Sequence, residues 1–172
     1  MNKVENLEAI KQMAYDLAAF YEKSYGCCSQ CVVGAVKNVV APQISDDVFL
    51  AATGLGAGIG SCGYACGALT GGIMVISCFV GRSMREFPNA DKIRTDTFRI
   101  ARRLVKKFEQ EYGECGGDCA AIQTKLMGRS FDLFAGDRDA FIAAGGHDTV
   151  CPAVCGKAAV WTIEILADEG LI

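Results

Sequence analysis

Eight of the ten cysteines in this 172-residue chain fall into four pairs of equal separation: Cys27 and Cys31, Cys62 and Cys66, Cys115 and Cys119, Cys151 and Cys155. Only Cys28 and Cys78 lie outside them. On a helix, residues i and i+4 share a face with Cβ atoms about 5–6 Å apart, wider than the roughly 3.5–4.5 Å that a disulfide requires. Disulfides within the pairs are therefore disfavoured unless the helix unwinds. The same separation suits two thiolates gripping one metal ion or cluster, and C-x2–4-C is an accepted zinc spacing.

Glycine and proline cut the chain into helical runs. Lys3 to Tyr25 carries Leu7, Ile10, Met13, Ala14, Leu17, Phe20 and Tyr21 at a three-to-four-residue period and stops at Gly26. Cys28 to Val40 ends at Ala41-Pro42, and Ser45 is placed to cap a short helix through Leu50 to Thr53. GLGAGIGSCG, with five glycines in ten residues, is a loop of unusual backbone freedom. It leads into Ala65 to Phe79, an uncharged helix expected to be buried on most sides. Asn89 to Tyr112 sets Ile93, Phe98, Ala101, Leu104, Val105, Phe108 and Tyr112 against a mostly basic side, with Gly113 as its stop. Arg99, Arg102, Arg103, Lys106 and Lys107 on that side read as a solvated face. Asp118 to Met127, Asp137 to Ala144 and Pro152 to Ala167 complete the set, Pro152 suiting a first turn. No run alternates as a strand does. The expectation is all-α: one compact domain, 1–172, of about six to eight helices, with the glycine-rich loop feeding a buried central helix.

Cys28, Cys66, Cys119 and Cys151 each fall near a predicted helix start, after Gly26, Gly63, Gly116-Gly117 and Gly145-Gly146. The positive end of a helix and its unpaired amides stabilise a thiolate, the form that binds metal or attacks a disulfide. Cys28-Ser29-Gln30-Cys31 also fits C-x-x-C at a helix start, the arrangement of dithiol redox sites, but the helical surroundings argue against a thioredoxin fold. Cys78, inside an apolar run, reads as packing. His147, the only histidine, reads as an exposed loop residue. One histidine gives too little to orient a Ser-His-Asp or Cys-His-Asp constellation.

With 51% apolar residues the chain can bury the core of one domain. A net charge of -3 leaves no broad basic footprint, so neither nucleic acid nor an anionic membrane is an expected partner. MNKVENLEAIKQ lacks the apolar core of a secretory signal, and the longest apolar run, Gly67 to Gly81, is shorter than the ~20 residues of a membrane span. The expected location is cytoplasmic. In that reducing compartment ten cysteines serve as metal ligands or reactive thiols rather than as a disulfide framework. The loop glycines do not form a nucleotide site, because no strand precedes them and no Gly-Lys-Ser/Thr follows. They allow close approach to a cofactor or another chain, and their amides can tune cluster sulfurs. Gly58, Gly60, Gly63 and Gly67 are the candidate cofactor-binding positions.

In order, GCCSQC, GLGAGIGSCGYACGALTGG, EYGECGGDCAAIQTKLMG and CPAVCGKAAVWTIEIL resemble the C_GCAxxG_C_C family, for which a redox role is proposed. The resemblance runs from about Leu17 to Leu166. Its most specific part is the loop followed by Cys66-Gly67-Ala68-Leu69-Thr70-Gly71, supported by Cys28 before it and by Cys119 and Cys151-Pro152 after it. It implies a helical domain whose four cysteines gather at one centre. A similar domain in split-Soret cytochromes implies an iron centre beside haem. The chain has no C-x-x-C-H for covalent haem attachment, and it adds Cys27, Cys31, Cys62, Cys115 and Cys155 to the four-cysteine pattern. The additions could support a second centre or a larger cluster.

Three functions follow as expectations. The first is electron transfer through an iron–sulfur or related centre held by Cys28, Cys66, Cys119 and Cys151, with Cys62, Cys115, Cys155, Cys31 and Cys27 as candidate further ligands. The second is a cofactor-free thiol oxidoreductase in which the same four cysteines are the redox-active groups. The third is a non-redox Zn(II) or Cu(I) thiolate protein. An enzyme of this kind would be an oxidoreductase. A redox partner protein is expected, and a homodimer would cover the uncharged helix.

Overall fold

The glycine stops and apolar stripes become eight α-helices among the described residues of the computed structural model, which are 3–172, with side chains from residue 6. They are α1 (Lys3–Tyr25), α2 (Cys28–Val39), α3 (Asp46–Ala51), α4 (Gly67–Val80), α5 (Asp91–Tyr112), α6 (Cys119–Met127), α7 (Arg138–Ala143) and α8 (Cys151–Asp168). Among those residues there is no strand, only an isolated antiparallel bridge between Ala65 and Asp118. The fold is all-α, as the periodicity predicts. The first two residues of the N-terminal reading lie outside the described residues.

Helix α8 is the hub, in contact with α1, α2, α4 and α5. Residues 146–168 are long and apolar enough to cross a membrane by length and composition, but these neighbours take up much of their surface. Helix α4 is buried as expected, and its cover comes from α2, α5 and α8 of the same chain. Gly71 allows that approach: a Cβ there would stand 2.4 Å from the Ser29 carbonyl oxygen on α2.

Three local readings change. Ser45 occupies the N-cap position of α3, but its hydroxyl makes no capping bond; the Val48 N–H donates instead to the Ser45 carbonyl at 3.3 Å. On α5 the buried line is Ile100, Leu104, Phe108 and Tyr112, while Phe98 is 66% exposed. Phe98 lies roughly 200° round the helix from Ile100, and the contacts with α4 and α8 cover only one stripe. Part of the basic side of α5 is a seam, through Arg99, Arg103 and Lys107, while Arg102 and Lys106 stay exposed as a solvated face does. Arg103 pairs with Asp168 at 2.6 Å and Glu169 at 2.7 Å, Arg99 with Glu169 at 3.3 Å, and Lys107 with Glu164 at 2.7 Å.

Candidate functional site

Four helices begin at one place. Cys28, Cys119 and Cys151 are the first residues of α2, α6 and α8, and Cys66 immediately precedes α4. All four line one cavity of about 530 Å³, together with Cys27 and Cys155. Backbone bonds stitch two of the starts together. The Cys66 N–H donates to the Gly117 carbonyl at 2.7 Å, Cys119 N–H to Tyr64 at 2.6 Å, and Ala120 N–H to Gly63 at 2.9 Å. Asp118 caps α6 by accepting the Ala121 N–H at 2.7 Å. A π-helical turn, Gly146–Val150, which periodicity does not reveal, runs straight into α8.

The glycine-rich loop builds one wall. Ala57, Gly58, Ile59, Gly60 and Ser61 all have positive φ, between 51° and 75°, an unbroken left-handed stretch. Non-glycine residues lose about 1–2 kcal/mol each in that conformation, so the loop holds strain beside the cysteines. It is closed by Ile59 N–H to Leu55 carbonyl at 3.2 Å, Gly60 to Gly54 at 2.9 Å and Tyr64 to Gly58 at 3.0 Å. A Cβ on Gly58 would lie 2.8 Å from the Cys119 Cβ and one on Gly67 would lie 2.3 Å from the Cys28 sulfur. Both positions permit close packing around the cysteines. Gly60 lines the cavity, and Gly63 packs on Ala120.

The helix starts do not by themselves yield thiolates. Burial pushes the Cys28 thiol far up, and the neighbouring Cys66, Glu22 and Cys151 add to the effect. Burial likewise raises Cys151 well above its ordinary value and Cys119 to about 12. Cys66 is also raised by burial, against the pull of the Leu69 and Ala68 amides at the start of α4. In the free protein desolvation therefore outweighs the dipole, and the four thiols hold their protons near neutral pH.

The remaining cysteines separate. Cys27 lines the cavity with its sulfur 3.5 Å from the Thr53 carbonyl. Cys62 is exposed, Cys78 is exposed rather than packed, and Cys115 donates to the Ala121 carbonyl at 3.5 Å. Cys31 donates to the Gly26 carbonyl at 3.0 Å and to Glu22 Oε2 at 3.4 Å; Cys155 approaches the same Oε2 at 3.9 Å. Only Cys151 and Cys155 form an i,i+4 pair wholly inside one helix, because loops or 3-10 turns hold the first cysteine of the other pairs. Sequence reasoning missed Glu22, which is 3% exposed, lines the cavity, and binds His147 Nδ1 through Oε1 at 3.1 Å. His147 is thus not a free loop residue. Its ring also meets Phe141 edge-on at 4.9 Å. Gln123, likewise missed, donates to the Cys119 sulfur at 3.6 Å.

Compared with known proteins, residues 26–165 match the family model described as "Putative redox-active protein (C_GCAxxG_C_C)". No curated protein and no solved structure matches the chain.

Proposed function

The chain belongs to the C_GCAxxG_C_C family, for which a redox role is proposed, and on that premise we propose that it is an electron-transfer protein whose Cys28, Cys66, Cys119 and Cys151 hold an iron–sulfur cluster. The observation that carries the reading is the convergence of these four cysteines, from four helix starts, on one cavity of about 530 Å³. Among the described residues no three His, Cys, Asp or Glu side chains meet tightly enough to hold a single metal ion. A cavity of that size, lined by four cysteines, would suit a polynuclear cluster better than one Zn(II) or Cu(I) ion. Buried thiols with raised pKa are poor attacking groups, which counts against cofactor-free disulfide chemistry.

A cluster bound there would supply one-electron exchange. The chain's own residues would bind and tune it. The four cysteines would ligate it as thiolates, and the loop 56–61 closes one side. Glu22, Cys31, Cys155 and His147 form a bonded group beside it. Tyr25 and Phe134, 75% and 87% exposed at the lining of the cavity, offer an apolar rim for a redox partner protein.

Anaerobic purification, or reconstitution with iron and sulfide, followed by metal and acid-labile sulfide analysis, tests the reading. Iron, sulfide and visible charge-transfer absorption are expected, with loss in Cys→Ser variants at the four positions. Protein that takes up neither iron nor sulfide would refute it.

A further inference from the structure

Among the described residues, one side chain alone donates a hydrogen bond to a sulfur of the four converging cysteines, and it is Gln123. It stands one turn after Cys119 on α6, is 7% exposed and lines the cavity. Its carboxamide is engaged at both ends: Nε2 donates to Cys119 Sγ at 3.6 Å, and Oε1 accepts the Phe131 N–H at 2.9 Å. The second bond fixes the direction of the first. A backbone N–H can only donate, so it must meet the amide oxygen, which leaves the NH2 group to the sulfur.

Phe131 is itself held. Its ring packs edge-on to Phe141 at 5.6 Å between centroids and lies under the Arg129 guanidinium at 4.3 Å. Arg129 pairs with Asp137 at 2.8 Å, and Asp137 also accepts the Asp132 N–H at 3.0 Å. The segment after α6 therefore clamps the glutamine in one orientation. A Phe131 bond alone would satisfy a structural role; the clamp in addition aims an N–H at a sulfur.

We propose that Gln123 is a positioning residue of the redox centre, one whose side-chain N–H, held in place by Phe131, draws charge from the Cys119 sulfur and raises the midpoint potential of a cluster ligated there. The proposal rests on the reading of Cys119 as a ligand. A cluster held there would become one unit more negative on accepting an electron from a reduced partner. A donor on a ligand sulfur stabilises that reduced form more than the oxidised one. Its removal therefore makes reduction harder.

The test is a midpoint measurement on cluster-loaded full-length protein, wild type against Q123M and Q123E, with iron content and melting temperature recorded for each. Q123M removes both bonds. Q123E keeps an acceptor for Phe131 and replaces the donor with a carboxylate. Poised at the wild-type midpoint, the ratio of reduced to oxidised centre should be about threefold lower in Q123M and at least tenfold lower in Q123E, the latter about 59 mV for one electron. A Q123M protein with wild-type iron and an unmoved midpoint overturns the proposal, even if it melts lower, because a merely structural role would produce that pattern. If Q123M does not retain the cluster, Q123E decides, and a midpoint at or above wild type overturns it. Absence of iron and sulfide from the wild type would overturn the cluster assignment and this proposal together, whereas an unmoved midpoint in loaded protein overturns this one alone.

Discussion

A methyl group on Gly67 would lie 2.3 Å from the Cys28 sulfur, 3.0 Å from the Leu55 carbonyl and 3.1 Å from the Ser29 nitrogen. Two of those atoms are backbone and cannot step aside. G67A should therefore lower stability by roughly 1–3 kcal/mol through overpacking, and it should displace the Cys28 sulfur, so that melting temperature and iron uptake fall together. Glu22 carries a different burden, since His147, Cys31 and Cys155 all share its carboxylate. E22A should cost about 1–3 kcal/mol in urea unfolding, the usual result of leaving buried donors without an acceptor; a change within experimental error would show that the group is dispensable. Glu22 had a trace in the sequence. It continues the four-residue spacing of Ala14 and Ala18, the fully buried line of α1, whereas the apolar count favoured Met13 and Phe20, both more than half exposed. Hydrophobicity marked the bulky residues, but the close contact of α1 with α8 selected the small ones.

Among elements, the seam between α5 and α8 makes a pH-dependent prediction. Burial pushes the Glu164 carboxyl up, but hydrogen bonds from Lys107 and Lys11 outweigh it, so its pKa lies below the ordinary 4.5. A depressed folded pKa means that the unfolded chain binds the proton more readily. The stabilisation is thus fully present above pH 4.5 and is lost as pH falls through the folded value below it. Wild type should exceed E164Q in stability at pH 7, and the gap should close on acidification below about pH 4.5; a gap independent of pH would contradict this. Gly72 marks the same junction from α4, where a Cβ would stand 2.6 Å from both Leu104 Cδ2 and Thr162 Oγ1. G72V should melt well below wild type, with an overpacking cost of about 1–3 kcal/mol. The eight helices and the glycine stops at Gly26 and Gly113 were legible as periodicity and punctuation. The ion pairs were not, because a basic stripe looks alike whether water or the acidic end of another helix faces it.

At the scale of the whole molecule, the proposed ligands come from α2, α4, α6 and α8, so loading a cluster would tie four separate helix starts together. Binding to such a site couples to folding. The loaded protein should melt above the iron-free protein, and C28S, C66S, C119S and C151S should each abolish the increment, measured for each variant against its own iron-free form. C62S, on an exposed cysteine outside the cavity, should retain it. Because the four thiols are protonated near neutral pH, loading must release protons, and uptake of iron should strengthen as pH rises. By itself the sequence determined the helical class, the eight segments and the placement of Cys28, Cys66, Cys119 and Cys151 at helix starts, since local periodicity and glycine placement govern these. Only the tertiary structure decided that the four starts face one cavity, that Cys31 and Cys155 turn to Glu22 while Cys62 faces solvent, and that the thiols are protonated rather than ionised. Convergence depends on contacts between residues far apart in the chain, and desolvation depends on what covers a sulfur; neither is encoded in the spacing of neighbours.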